Sequence, residues 1–246
     1  MLMNKDIKVL GIVPARKGSK RIPGKNIKEV AGKPLIVYTF EIAKKSKLLT
    51  RLIVSTDDEE VIRLANQSGI EVPFVRPAEF ASDTATDFDW IKHAVEELAD
   101  KGWKADYVVI LRATNPLRIV EDIDLAVEKI LETRADSVRL LNPIKEHPYW
   151  LKTVQGDWAM PFIELGIPEE QLRSQDLPKL YFINGVVDVI DVHNLKNNCI
   201  YGKKISYVMI DWERSLDIDD ISDFNYAEFY FTKKKLQDEN SCLSKN

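Results

Sequence analysis

Histidine and cysteine are both scarce in this chain of 246 residues, with three histidines and two cysteines. Cys199 and Cys242 cannot build a disulfide framework, and two cysteines without a histidine cluster do not make a zinc site. Two such thiols suit a reducing, cytoplasmic compartment. No apolar run approaches the roughly 20 residues of a membrane span, and no secretory leader is expected at the N-terminus. Basic excess is missing too: the formal net charge is −4, against the cationic face that general nucleic-acid binding usually wants. With 45% apolar and 30% charged residues, the composition is ordinary for a globular protein.

One stretch departs from that average. Ile12 to Lys28 reads I-V-P-A-R-K-G-S-K-R-I-P-G-K-N-I-K, and Arg16, Lys17, Lys20, Arg21, Lys25 and Lys28 crowd into it. Gly18, Pro23 and Gly24 interrupt it, so it reads as a loop and not a helix. So much local positive charge in an acidic chain points to a small polyanion held against backbone. The spacing matches neither a Walker A motif nor G-x-G-x-x-G. A solvated surface loop is the plainer alternative.

Around it, strands and helices alternate. Lys8–Val13, Arg51–Thr56, Glu71–Val75, Tyr107–Leu111 and Ser137–Leu141 read as strands. Helices are expected from Pro34 to about Lys47, after a cap at Asp57 or Asp58, and over Asp87–Lys101 and Val120–Thr133. This rhythm predicts an α/β fold, a doubly wound and mostly parallel sheet. It breaks at Asn142–Pro178, a stretch rich in prolines and aromatics. Residues 142–182 are therefore read as an insertion within one domain of residues 1–236, packing on a second subunit or folding as a lid. Strands resume at Gly185–Asp191 and Ile205–Ile210. A last helix covers Ile221–Lys235, and residues 237–246 read as a flexible polar tail.

In such a sheet, ligands sit beyond the carboxyl ends of the strands. The basic loop is there, as are Arg76–Asp87 after the third strand and Leu111–Arg118 after the fourth. Arg112 and Arg118 are candidates for an acidic substrate; Arg118 alternatively pairs with Glu121 or Asp122. In Leu216-Asp217-Ile218-Asp219-Asp220, alternation puts Asp217 and Asp219 on one side. They suit Mg²⁺, or Asp219 or Asp220 merely caps the next helix. Cations beside a carboxylate-held metal are how phosphoryl and nucleotidyl transfer is usually managed. His93 is placed at the polar border of its helix, and His147 lies in the insertion.

Taken together, I-V-P-A-R-K-G-S-K-R-I-P-G-K-N, R-P-A-E-F-A-S-D-T-A, T-N-P-L-R, R-S-Q-D-L-P-K with its following N-G, and L-D-I-D-D resemble the acylneuraminate cytidylyltransferases, also called CMP-sialic acid synthetases. The resemblance runs over about residues 7–230. It implies transfer from CTP to the anomeric hydroxyl of an acidic nine-carbon sugar, with Mg²⁺ and release of diphosphate. It also implies a homodimer built through the insertion. By resemblance, Arg16, Ser19, Lys20, Lys25 and Asn26 hold the nucleotide, with Arg76 at the base and ribose and Asp87 on the same side. Lys25, Arg16 and Lys20 steady the growing charge, and Asp217 and Asp219 hold the metal. Arg112, Thr114, Lys152, Arg173 and Gln175 are the sugar-side candidates.

Three departures fall on that sugar side. The family's Gln-Pro-Thr-Ser-Pro-Leu-Arg becomes Arg112-Ala113-Thr114-Asn115-Pro116-Leu117-Arg118. Its Arg-Gln before Leu-Pro becomes Ser174-Gln175, and its Asn-Gly-Ala-Ile-Tyr becomes Asn184-Gly185-Val186-Val187-Asp188. A legionaminic or pseudaminic acid, or another nucleotide such as GTP, therefore stays open. So does a nucleotide-binding protein without turnover.

Overall fold

The computed structural model describes residues 6–19, 21–164, 166, 168 and 171–243. Its centre is a six-stranded sheet in the order β10-β6-β9-β5-β1-β4. The strands are β1 (Val9–Ala15), β4 (Arg51–Thr56), β5 (Tyr107–Ile110), β6 (Ser137–Pro143), β9 (Tyr181–Asp191) and β10 (Ile205–Met209). Parallel pairs join β4, β1 and β5, and again β6 and β10; β9 runs antiparallel between β5 and β6. Two short strands, β2 (Glu29–Val30) and β3 (Lys33–Pro34), pair after the basic loop.

Strand alternation divides the core. Val9 and Val13 join Phe40 of α1 (Leu35–Ala43), Val61 of α2 (Glu59–Gln67) and Ile123 of α4 (Val120–Thr133). Leu10 and Ile12 point the other way, onto Trp90, Ile91 and Leu98 of α3 (Asp87–Asp100). Helices thus cover both faces, as the sequence rhythm predicts.

Some expectations need correcting. Glu71–Val75 does not form a strand: only a single parallel bridge links Glu71 to Ile53. α1 ends at Ala43, short of Lys47. After a short turn of helix, α5 (His193–Lys196), the last helix α6 starts at Ile221 and continues to Leu243, through the stretch read as a tail. Asp58 caps α2 as expected, accepting from Glu60 N at 3.0 Å.

The insertion contains the hairpin β7 (Lys152–Gln155) and β8 (Trp158–Pro161), every residue of which is exposed. Beside it, Tyr181, Phe182 and Ile183 extend β9 past the body of the sheet with their side chains in solvent. On the edge strand β10, Ile205, Tyr207 and Met209 are also exposed.

Candidate active site

The basic loop leaves the carboxyl end of β1 and turns at Gly24, whose φ of 65° is one that glycine adopts without strain. A 3₁₀ turn, Lys25–Ile27, follows. Gly18 sits in open space, so no close packing requires its lack of a side chain. Lys20 lies outside the described residues.

The acidic segment comes to the same place by docking on the loop after β5. Ile218 N donates to Thr114 O at 2.8 Å, and Asn115 Nδ2 donates to Leu216 O at 3.1 Å. Ile218 is fully buried. Asp217 and Asp219 flank it, both exposed to solvent. Lys25 Nζ donates to Ile218 O and lies 3.7 Å from Asp219 Oδ1, while Arg21 pairs with the same oxygen at 3.0 Å. Capping falls to Asp220, which accepts from Ser222 N and Asp223 N. Asp219 is left free of that task.

Between these segments opens a cleft of about 600 Å³. Arg16, Ser19, Lys25, Asn26, Arg76, Asp87, Arg112, Thr114 and Asp219 all line it, along with Phe80, Ser82, Asp83 and Trp90. Arg16 bonds Ser82 O and pairs with Asp83, each at 2.9 Å, which clasps the first loop to the third. Asn26 Nδ2 donates to Arg16 O. Arg76 is buried against Ser55, with its guanidinium 5.3 Å from the Trp90 ring. Burial, partly opposed by Asp57 and Asp87, lowers its pKa to about 10, so it remains charged at neutral pH.

Asp217 reaches water but is crowded by protein, which raises its carboxyl above the ordinary range. Crowding is the largest cause; a bond from Thr114 lowers it, repulsion from Asp219 raises it again, and Lys25 pulls it down. Two mutually repelling carboxylates fit a divalent cation. Among the described residues no group of three or more His, Cys, Asp or Glu could hold one, so phosphate oxygens and water would have to complete its shell.

The sugar-side candidates divide. Thr114 and Arg112 line the cleft, but Arg112 is already paired with Asp87 at 2.6 Å and Asp188 at 2.9 Å. Lys152, Arg173 and Gln175 sit exposed on the insertion and are not among the lining residues; Arg173 pairs with Asp176. Arg118 is neither a substrate arginine nor a partner of Glu121. It is buried, donating to Val186 O, Arg112 O and Thr39 Oγ1, and it pins the loop after β5. His93 is half-buried at the border of α3: its ring packs 4.8 Å from Phe74 and 5.1 Å from Phe80, and its Nε2 lies 3.9 Å from Glu97 Oε1.

Sequence reasoning missed Trp90, the Ile218 carbonyl and Asp188. Trp90 falls one place outside the helix stripe, and no side-chain pattern marks a carbonyl. Asp188 stands out in the sequence only as a departure from the family pattern.

A cation-walled cleft lined by Asp219, with Asp217 two residues before it, at the carboxyl edge of a mostly parallel sheet, defines an α/β nucleotidyltransferase. The chain belongs to the cytidylyltransferase family, whose model matches residues 10–190. It is 31% identical over 230 residues to a CMP-N,N'-diacetyllegionaminic acid synthase of Legionella pneumophila, covering 90% of this chain and 95% of that one. It is 32% identical to a pseudaminic acid cytidylyltransferase of Campylobacter jejuni, covering 92% and 97%. A CMP:2-keto-3-deoxy-manno-octonic acid synthetase solved with CTP shares the fold, with a TM-score of 0.68 at 18% identity, covering 92% of this chain and 99% of that one.

Proposed function

We propose that this enzyme transfers the cytidylyl group of CTP to the anomeric hydroxyl of an acidic nine-carbon sugar of the legionaminic, pseudaminic or sialic type. The single cleft that gathers Lys25, Arg16, Arg76, Thr114 and Asp219 carries the reading. The names of the relatives supply the nucleotide and the class of acceptor.

The anomeric oxygen attacks the α-phosphorus and the bond from that phosphorus to the bridging oxygen breaks. Diphosphate leaves with the electron pair, and the hydroxyl proton passes to solvent. Lys25 and Arg16, with Lys20 of the same loop, stabilise the charge that grows on the bridging and leaving oxygens. Lys25 is held for this by Ile218 O and Asp219. Arg76 is fixed by Ser55 against Trp90, where the base and ribose would lie. Asp217 and Asp219 would hold Mg²⁺, which supplies charge neutralisation and orientation of the phosphates.

The working unit in this reading is a homodimer. A two-stranded hairpin is marginal alone in water. Val154 is 79% and Trp158 74% exposed, so β7 and β8 need a cover, and a second copy supplies it. No helix among the described residues is long and apolar enough to cross a membrane, and Cys199 is a free thiol. Both fit work in the cytoplasm.

Diphosphate release from a panel of nucleotides and sugars tests the function. Release with CTP and one of the three acid classes is expected. Release only with GTP, or with none, would overturn it.

A further inference from the structure

Two of the departures from the family pattern, Arg112 and Asp188, are in contact. Arg112 Nη1 lies 2.9 Å from Asp188 Oδ2, and Asp188 is fully buried. Its other oxygen takes Arg139 Nε at 2.8 Å; Arg139 is its register partner across β6 and β9. Arg112 Nη2 holds Asp87 Oδ2 at 2.6 Å, and Asp87 Oδ1 accepts from Trp90 Nε1 at 2.9 Å. The β6 and β9 ladder shifts register beside this cluster. There Gly185, at φ 68°, turns its carbonyl to 3.4 Å from Arg112 Nη1. Arg118 Nη2 grips the main-chain carbonyl of Arg112 at 2.9 Å. The residue is thus fixed at both backbone and head.

The side-chain ion pairs balance, with Arg112 and Arg139 against Asp87 and Asp188. A substrate carboxylate brought to Arg112 would meet Asp87 and Asp188 at close range and be repelled. The guanidinium still has donors to spare, because a guanidinium carries five N–H groups in a fixed fork. It also faces the cleft. Arg16 follows β1 and Arg76 bonds the end of β4 through Thr56 O, whereas Arg112 follows β5 and its partner Asp188 lies in β9, itself paired with Arg139 of β6. Arg112 therefore stands toward the side of the sheet from which the insertion rises.

We propose that Arg112 and Asp188 act as one specificity-determining unit. Asp188 is a positioning residue that holds Arg112 at the cleft wall with its charge already spent. Arg112 then donates to an uncharged oxygen of the acceptor, a hydroxyl or an amide carbonyl, and not to the acceptor's carboxylate. This rests on the functional reading above.

The experiment uses the full chain carrying Arg112→Gln, Asp188→Asn, the double substitution, or Arg112→Lys. Arg112→Gln leaves Asp188 paired with Arg139, so no buried charge is orphaned. Each single variant should raise the acceptor KM by about 10-fold or more, as expected for a lost charge-assisted hydrogen bond, with CTP affinity by calorimetry changed less than about 2-fold. The double should be no worse than the worse single, because the unit is broken only once. The Arg112→Gln penalty should persist when the methyl ester of the acceptor is measured as a competitive inhibitor. If Arg112→Gln melts early, Arg112→Lys keeps the charge but loses the fork, and should show the same KM rise at normal melting temperature.

An unchanged acceptor KM, a parallel loss of CTP affinity, multiplying effects in the double, or a penalty that vanishes on the ester would each overturn the proposal. Wild-type protein that releases no diphosphate with any acid sinks the functional reading instead.

Discussion

Ile22 and Ile218 are buried in the same apolar cluster, although one comes from the basic loop and the other from between two aspartates. Val30, Leu35, Tyr38, Phe224 and Ala227 complete that cluster. The burial works against repulsion within each segment: the loop carries cations on both sides of Ile22, and the acidic segment carries carboxylates on both sides of Ile218. Hydrophobic anchoring of one residue in each puts Lys25 against the Ile218 carbonyl and within 3.7 Å of Asp219. The opposed charges meet because neighbouring apolar side chains leave water.

Lys25→Ala should lower kcat by at least roughly 10²-fold, the size expected for one preorganised electrostatic contact. Its ammonium is largely buried and held by a carbonyl, so no surface lysine can replace it. Steady-state diphosphate release checks this, with thermal melting as a control on folding. Turnover near the wild-type rate would remove Lys25 from the chemistry.

Asp217 predicts a pH dependence of metal response. Crowding and Asp219 raise its pKa, so it takes up a proton at higher pH than an ordinary aspartate. Protons then compete with Mg²⁺ as pH falls, and the apparent metal affinity drops from above the usual range of about 3.9. Asp219→Asn removes one repelling carboxylate and should lower the Asp217 pKa while weakening the metal response. Mg²⁺ titrations of activity at several pH values decide this; an unchanged response in Asp219→Asn would leave that side chain with only its ion pairs to Arg21 and Lys25.

Much of this architecture was legible in the chain. Alternating apolar runs at β1, β4 and β5 and the amphipathic stripes of α3 and α4 follow directly from burial on a two-sided sheet. The antiparallel direction of β9 was not legible, because a buried strand reads the same either way. Glu71–Val75 looked extended and apolar, yet only Glu71 finds a ladder partner. The cationic loop and the aspartate pair stood out by charge. Asp188 did not, since an acid at the centre of a strand makes sense only once Arg112 and Arg139 are seen beside it. The end of α6 is hard to see in the sequence, because the stretch from residue 237 onward is polar and reads as a tail.

The insertion predicts association. With Val154, Trp158, Phe162, Tyr181 and Phe182 in solvent, a lone chain would leave an unusually large apolar surface wet. Light scattering should give twice the chain mass of 28.2 kDa. Trp158→Lys should shift the population toward monomer. A monodisperse wild-type monomer would mean that the hairpin has another cover.

Gly202 should not tolerate a side chain. Its φ is 66°, and an added Cβ would lie 2.2 Å from Asp136 Cβ. Asp136 cannot easily retreat, because its carboxylate accepts from Lys203 N and Lys204 N at 2.7 and 2.8 Å. The left-handed backbone alone costs about 1–2 kcal/mol for a non-glycine residue. Gly202→Ala should therefore lower stability by at least about 2 kcal/mol in denaturant titration once the clash is added. A loss below about 0.5 kcal/mol would show that the turn relaxes.

His93 gives the fold a weak point in acid. Its ring is enclosed by Phe74 and Phe80, and burial lowers its pKa; Glu97, Glu96 and Glu79 pull the other way and Arg76 adds to the lowering. The unfolded chain has an ordinary histidine of pKa about 6.5 there. Below that value the unfolded state binds more protons than the folded one, so stability falls as pH falls. At higher pH both states hold the neutral ring and the effect disappears. His93→Phe keeps an aromatic in the cluster and removes the proton. Its urea midpoint should match wild type within a small offset at pH 7.5 and exceed it by a wider margin at pH 5.5. A margin that stays constant between the two pH values would mean that the half-buried imidazole takes no part in acid unfolding.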